Sequence, residues 1–360
     1  MNKFFKNLLC VLMIATILLT QNLKCLAKAD RRVQFYGNSM DARTEEFFNE
    51  YEEGILSTIS TIEKTSDVCS GAPIEVIGAS NCYFVPVFVD KTIQYLITIN
   101  YDNGCYSVSY SKYFAKDIQE LETGCYYFYK NGDNTYLVNE FGNGLDIVSG
   151  ETRSIDTDMD IKDERYLITE TAPDAREIVQ PRALIGRELS NFPIVRNGGK
   201  YGYCWLPSAL SICKYFGSTM SLSQAHTYAH GSTHTLYYCN GGTINDAYML
   251  IYHNMMKVGD IDSSNISAAK VLSSISGDSP VYMGLSSGTS SGTLIGHAAV
   301  ICGYYLDNTS GQFTYIIADS NYSDLIYQVG SYSSSLSTYS PVSGVSYSWT
   351  ETIYNLRDWN

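Results

Sequence analysis

The feature that most constrains this chain is a change of pattern about halfway along its length. From Asp30 to Leu184 the sequence carries 13 basic and 27 acidic residues, whereas from Ile185 to Asn360 it carries 7 and 10. All five histidines and all three tryptophans fall in the second part. Such an asymmetry predicts two units with different roles. Because histidine suits acid–base chemistry near neutral pH, we expect the chemistry in the second unit.

Residues 1–29 have the organisation of an export signal peptide. Lys3 and Lys6 form a basic start, residues 7–19 are almost wholly apolar, and Ala27-Lys28-Ala29 matches the small-x-small pattern of a cleavage site. The apolar run is shorter than a membrane span usually requires. We therefore expect a secreted protein with no membrane association after signal cleavage, and association with the cell surface is left open.

The net charge and the cysteine spacing argue against two classes of partner. The chain has a formal net charge of −13, and the signal that is removed carries lysines but no acids. A chain this acidic is a poor binder of polyanions, so we expect no nucleic acid partner. The ten cysteines include no C-x-x-C pair, which argues against a zinc ribbon or a thioredoxin-type site. Their disulfide connectivity cannot be read from the sequence.

The first unit has the pattern of an antiparallel sheet preceded by a helix, over residues 30 to about 150. Asp41 to Lys64 carries apolar residues at helical spacing. Short runs rich in β-branched and aromatic residues follow, separated by turn signals such as Asp102-Asn103-Gly104. No histidine occurs there, so we expect no catalytic cluster in this unit.

A linker is predicted at about 150–184, because Gly150 to Glu177 is charged and poor in large apolar residues. Such a joint is a natural place for proteolytic nicking. Residues 30–184 are therefore predicted to be a propeptide or an N-terminal β-rich domain, cut near Gln180 to Arg187. The remaining residues, 185–360, form the predicted catalytic domain.

The second unit has helical patterns first and strand patterns afterwards. Cys204 to Phe216 has an apolar stripe and a following Gly217, and Ser221 with Gln224 forms a capping box that opens the next helix. Later apolar runs predict strands, and Asp307-Asn308 predicts a turn between two of them. This order predicts an α+β arrangement. Ser331 to Ser348 is rich in Ser and Tyr, and an exposed loop and an edge strand both remain open for it.

Cys204 is the candidate nucleophile. It lies in Tyr201-Gly202-Tyr203-Cys204-Trp205, a glycine-containing approach followed at once by a helix. The helix dipole and the free amide donors there favour a thiolate, and the same amides can hold an oxyanion. The simpler interpretation is a buried small side chain or half of a disulfide, which fits Cys213 and Cys302 better.

His297 is the candidate base, and Asp319 is the candidate for orienting it. His297 begins a predicted strand among small residues, and Asp319 ends the next strand. If the two strands are antiparallel neighbours, the carboxylate could accept from the imidazole N–H. Asn321 is the alternative third residue. His226 and His230 are four residues apart, but no carboxylate is near them, so we expect no metal site.

Three segments resemble papain-like cysteine peptidases of Gram-positive bacteria, of the staphopain or C39-like type. Leu189 to Tyr215 resembles their opening, Gly296 to Tyr304 their histidine strand, and Ile316 to Ser320 their third-residue strand. The resemblance covers about the last half of the chain. It implies a papain-like fold, hydrolysis of a peptide or protein substrate through a thioester, and no cofactor. The family's oxyanion glutamine would fall at Asn197, which has the same amide on a shorter stem.

These observations predict a secreted cysteine endopeptidase made as a proenzyme. Its own N-terminal region would be an intramolecular inhibitor or folding chaperone. Two alternatives stay open. The same triad could hydrolyse cell-wall peptides or amides, or the domain could be a catalytically retired papain-like fold used for binding or adhesion.

Overall fold

The computed structural model of this protein describes ten stretches of the chain: residues 33–37, 39–102, 104–132, 134–155, 166–169, 184–197, 204–230, 242–288, 294–342 and 345–359. The predicted signal peptide and most of the predicted linker lie outside these residues. No helix within the ten stretches is long and apolar enough to cross a membrane.

The described residues of the first half of the chain are mostly in strands, with two helices among them. Asp41 caps the longer helix by accepting from the backbone N–H groups of Arg43 and Thr44. The elements are β1 (Val33–Gly37), α1 (Ala42–Glu63), β2 (Val68–Ser70), β3 (Ile74–Ile77), β4 (Tyr83–Val89), β5 (Thr92–Asp102), β6 (Cys105–Ser111), α2 (Tyr113–Gln119), β7 (Gly124–Asn131), β8 (Asn134–Asn139), β9 (Asn143–Asp146), β10 (Thr152–Ser154) and β11 (Tyr166–Thr169).

The second half has most of its helices first and most of its strands afterwards, so the chain has the predicted α+β class. Its elements are β12 (Leu184–Glu188), α3 (Trp205–Tyr215), α4 (Leu222–His230), α5 (Ile244–Met255), β13 (Lys257–Asp262), α6 (Ala268–Ser276), β14 (Val281–Gly288), β15 (Leu294–Asp307), β16 (Gln312–Asp319), β17 (Ile326–Ser331), β18 (Thr338–Val342) and β19 (Val345–Asp358). The sequence did not predict β13, whose residues lack a clear alternation and pair with the distant β19.

A single antiparallel sheet crosses from one half of the chain to the other. Its strand order is β13-β19-β14-β15-β16-β17-β6-β5-β4-β2. The crossing point is the β17–β6 pair, in which Tyr327 lies opposite Tyr110. The remaining strands of the first half contain two pairings that differ from the expected antiparallel arrangement. Strands β1 and β3 both pair with β7 in parallel, an arrangement that the long connections between them permit.

Two apolar clusters place the helices against this sheet. Ile55 and Ile59 of α1 pack with strands of both halves, including Ile316 of β16. Leu206 and Leu210 of α3 pack on Val300 of β15, on the face that also carries residues of β14 and β19. The second cluster therefore brings the start of α3 to the start of β15.

Candidate active site

Cys204 lies at the N-terminus of α3 and beside the first residues of β15. Its backbone is helical, with φ −62° and ψ −28°, and Trp205 begins the helix. Its Sγ lies 3.8 Å from the carbonyl oxygen of Gly296. One turn later the Ser208 hydroxyl donates to the carbonyl of Ala298 at 3.0 Å. These two contacts flank His297, so the helix places the thiol next to the histidine strand.

His297 is buried and bonded through one ring nitrogen to Asp319. The distance from His297 Nε2 to Asp319 Oδ2 is 2.8 Å. The ring of Tyr347 lies against the imidazole, with centroids 4.8 Å apart and planes tilted by 33°. An ionised carboxylate only accepts, so Nε2 carries the donated proton. Nδ1 is therefore the nitrogen left to exchange a proton with a thiol.

The surroundings of His297 favour its protonated form. Burial alone lowers the pKa of His297, but the negative charges of Asp319 and of an ionised Cys204 outweigh that effect. The pKa of His297 is therefore raised well above its ordinary value. An imidazolium beside a thiol stabilises the thiolate, which is the nucleophilic form of cysteine.

Asp319 is fully buried, and three donors satisfy its carboxylate. Oδ2 accepts from His297 and from the Tyr339 hydroxyl, which is 2.9 Å away, and Oδ1 accepts from the backbone N–H of Asn321 at 2.9 Å. The β15–β16 register pairs Ala299 with Asp319, which puts Asp319 on the same face as His297. A buried carboxylate needs such partners, and these also fix its direction.

Asn197, the oxyanion candidate, and Asn321, the alternative third residue, are hydrogen-bonded to each other. Asn197 Nδ2 donates to Asn321 Oδ1, and the Asn197 backbone N–H donates to the Ser320 carbonyl at 3.1 Å. Asp319 is thus the third-residue candidate that contacts His297, whereas the Asn321 side chain contacts Asn197. Residues 198–203, which lead from Asn197 to Cys204, lie outside the described residues. The oxyanion role of Asn197 stays a prediction.

Sequence reasoning missed Tyr339 and Tyr347, which contact the His297–Asp319 pair. Both lie in the Ser- and Tyr-rich stretch, where the structure has the paired strands β18 and β19. Tyrosines are frequent throughout that stretch, so composition did not single out these two. The alternation of the flanking residues was the available signal for a strand.

The other cysteines of the second half are less suited to nucleophilic chemistry. Burial raises the pKa of Cys213 to about 12 and also raises the pKa of Cys302. Both side chains lie in apolar clusters. Six cysteines of the described stretches are free thiols: Cys82, Cys105, Cys125, Cys204, Cys213 and Cys302. Within the same stretches, no group of three His, Cys, Asp or Glu side chains could hold a metal ion.

Comparisons with known proteins add little to this geometry. No protein-family model matches the chain, and no curated protein matches it. A solved structure from Bacillus anthracis, described as a candidate C39-like peptidase, is similar over 49% of this chain and 100% of that chain. The sequence identity is 14% and the TM-score is 0.34. A TM-score this low carries no argument, so the functional case rests on the residues themselves.

Proposed function

We propose that this protein is a secreted cysteine endopeptidase in which Cys204 is the nucleophile and His297 the base. Asp319 orients the imidazole and supports its positive charge. One observation carries the proposal. A free thiol at a helix N-terminus lies 3.8 Å from the carbonyl of Gly296, and the next residue is a buried histidine bonded to a buried carboxylate.

The proposed reaction uses the groups in the order that their chemistry requires. The Cys204 thiolate attacks the carbonyl carbon of the substrate, and the carbonyl oxygen becomes an oxyanion. Backbone amides at the start of α3, with the Asn197 amide as a further candidate, stabilise that charge. The His297 imidazolium gives its proton to the leaving amine, and a thioester remains. His297 then takes a proton from water, whose oxygen displaces Cys204 and releases the acid.

The precursor proposal follows from the sequence pattern and fits the strand pairing. Leu184 to Glu188 form β12, which pairs with β15 from Gly303 to Asp307. A cut within β12 would remove residues from a paired strand. We therefore place the maturation cut just before Leu184, within residues 180–183.

Iodoacetamide labelling followed by mass spectrometry tests the proposal. Cys105 is an exposed thiol, so a Cys105→Ser variant is the matched background that removes this competing site. In that background we expect Cys204 to label fastest and casein cleavage to stop as it labels. Cys204→Ala should be folded and inactive. Equal labelling at Cys213 and Cys302 would contradict the assignment. Clearing of cell-wall suspensions with intact casein would assign the same residues to a cell-wall hydrolase.

A further inference from the structure

The strand β18 contacts the proposed site through the side chain of Tyr339. The Tyr339 hydroxyl donates to Oδ2 of Asp319, the same oxygen that accepts from His297 Nε2. Tyr339 is fully buried. A donor on the shared oxygen restricts the carboxylate to one orientation and withdraws part of its negative charge from the imidazole. Tyr339 is therefore a positioning residue, and its effect depends on what holds β18.

Residues of the N-terminal half hold β18 by hydrogen bonds. Ser109 Oγ donates to the Ser340 carbonyl at 2.8 Å, and Asn100 Nδ2 donates to the Val342 carbonyl at 2.9 Å. The hydroxyls of Ser107 and Ser340 lie 2.8 Å apart. Ser340 and Val342 follow Tyr339 in the same strand, β18. The first half of the chain thus fixes the backbone on the C-terminal side of Tyr339.

A buried glutamine ties the same strand to the sheet crossing. Gln328 Nε2 donates to the Val108 carbonyl at 2.9 Å, and its Oε1 accepts from the Ser340 backbone N–H at 3.0 Å. Gln328 is fully buried, so both bonds are shielded from water. A single side chain therefore links β6, β17 and β18.

The loop after Asp319 rests on the N-terminal half as well. The ring of Tyr322, three residues beyond Asp319, packs edge-on against Tyr113 and Phe114 of α2, with centroids 5.5 and 5.4 Å apart. Tyr110 of β6 stacks on Tyr327 of β17, with centroids 4.9 Å apart. Tyr110 and Tyr327 belong to a buried apolar cluster that both halves share, and its other buried members from the second half are Cys302, Ile316, Ala318 and Val329. Loss of the first half would expose them to water.

The chain crosses between the halves within residues 170–183. Strand β11, which ends at Thr169, pairs with β1, and strand β12, which starts at Leu184, pairs with β15. A cut between these two strands breaks no described strand pair and none of the contacts to β18.

We propose that the N-terminal unit, residues 33–169, is a lasting part of the active site. It positions Tyr339, and through Tyr339 the Asp319–His297 pair, and it stays bound after the chain is cut within residues 170–183. This inference rests on the proposed function for its meaning. A propeptide would dissociate from the mature enzyme. Here the mature enzyme instead consists of two chains, and the first chain supports the catalytic carboxylate.

The first test asks whether the two units stay bound to each other after the chain is cut, and it does not rely on activity. A recognition sequence for a site-specific protease is placed within residues 170–183 of the full chain, and the purified protein is cut to completion. Size-exclusion chromatography in native buffer should give one peak that contains both fragments, and the same column in urea should separate them. Two native peaks, with a C-terminal fragment that remains folded by itself, would overturn the proposal.

The second test asks whether the N-terminal unit acts on His297. The titration midpoint of His297 is measured by NMR of ¹⁵N-histidine-labelled protein in a Cys204→Ala background, so that thiol ionisation adds no second step. Tyr339→Phe removes a donor from Asp319 Oδ2 and leaves more negative charge facing the imidazole. We expect its midpoint to move to higher pH. The double variant Asn100→Ala and Ser109→Ala should move the midpoint in the same direction.

Thr61→Ala is the matched control for the double variant. Thr61 also donates its hydroxyl to a backbone carbonyl, that of Ser57 at 3.0 Å, but both residues lie in α1 and not against β18. The control should leave the His297 midpoint unchanged. A shift in Tyr339→Phe with none in the double variant would refute positioning by the N-terminal unit. Neither test needs turnover. A protein without peptidase activity would therefore contradict the proposed function without contradicting the role of the N-terminal unit.

Discussion

Replacement of Asp319 by asparagine separates the charge of this side chain from its shape. Oδ2 accepts from His297 and Tyr339, whereas Oδ1 accepts from the backbone N–H of Asn321. An asparagine amide offers one oxygen and one NH₂ group. With its oxygen at the Oδ2 position it keeps the first two bonds and sets its NH₂ against the Asn321 N–H. That mismatch should cost roughly 1–3 kcal/mol of unfolding free energy.

The lost charge has a separate effect on His297. The negative charge of Asp319 is the largest of the influences that raise the pKa of His297, so the pKa falls in Asp319→Asn. Each unit of that change corresponds to about 1.4 kcal/mol between the two protonation states. The imidazolium is then lost at lower pH. We expect the alkaline limb of the kcat/KM profile to move to lower pH, with activity retained on its acid side.

The loss of unfolding free energy caused by Asp319→Asn should depend on pH in a defined direction. The folded pKa of His297 is above its unfolded value, so the imidazolium–carboxylate pair stabilises the fold fully below the unfolded pKa of about 6.5. This stabilisation is lost as pH rises through the folded pKa. In urea unfolding, the difference in unfolding free energy between the unmutated protein and Asp319→Asn should therefore be larger at pH 6 than at high pH.

Two further variants make the assignment refutable. Asp319→Ala removes the acceptor from both His297 and Tyr339, and loss of the oriented base should lower kcat/KM by roughly 10²-fold or more. Asn321→Ala removes a side chain whose oxygen accepts from Asn197, and it should leave the alkaline limb in place. If Asp319→Asn leaves the limb unmoved and Asn321→Ala shifts it, the roles of the two residues are reversed.

Three other predictions follow from single contacts. Burial raises the pKa of Asp117 to about 6, so its carboxylate destabilises the fold above that pH. Asp117→Asn should raise the unfolding free energy at pH 7.5 by about 1–2 kcal/mol, allowing for partial exposure, and the gain should vanish near pH 4 in urea titrations. Tyr347→Ala uncovers the His297 imidazole and should lower kcat/KM about tenfold in steady-state assays, whereas Tyr347→Phe keeps the ring contact. A Cβ at Gly242 would lie 2.4 Å from the buried ring of Trp205, so Gly242→Ala should destabilise by about 1–3 kcal/mol in thermal unfolding.

Short-range signals determined much of the second half. The glycine-containing approach to Cys204, the apolar stripe after it and the following Gly217 predicted a helix, and α3 runs from Trp205 to Tyr215. The turn at Asp307-Asn308 predicted that the two strands on either side are antiparallel neighbours. The turn brings the two strands side by side, but a register shift between Ile301 and Gly303 is also needed, because it sets Ala299 opposite Asp319 and so puts Asp319 on the same face as His297.

The same signals favoured Asp319 over Asn321 only through its place directly at the end of the apolar strand. The two residues are separated by one position and both follow an apolar strand. The choice depends on which side chain points to the imidazole after the chain turns at Ser320. In the fold, Tyr339 and the Asn321 backbone both donate to Asp319, and Asn197 engages the other candidate. Two of these groups, the Tyr339 hydroxyl and the Asn197 side chain, come from other parts of the chain.

Sequence alone therefore determined most of the element types, the hairpin whose two strands carry His297 and Asp319, and the helix that follows Cys204. Only the tertiary structure decided that β6 pairs with β17 and that the N-terminal half holds the strand of Tyr339. Those contacts join residues more than 200 positions apart. Periodicity and turn chemistry report on neighbours within a few residues, whereas a distant strand pair is selected by the fit of its side chains and by the need to satisfy its buried backbone.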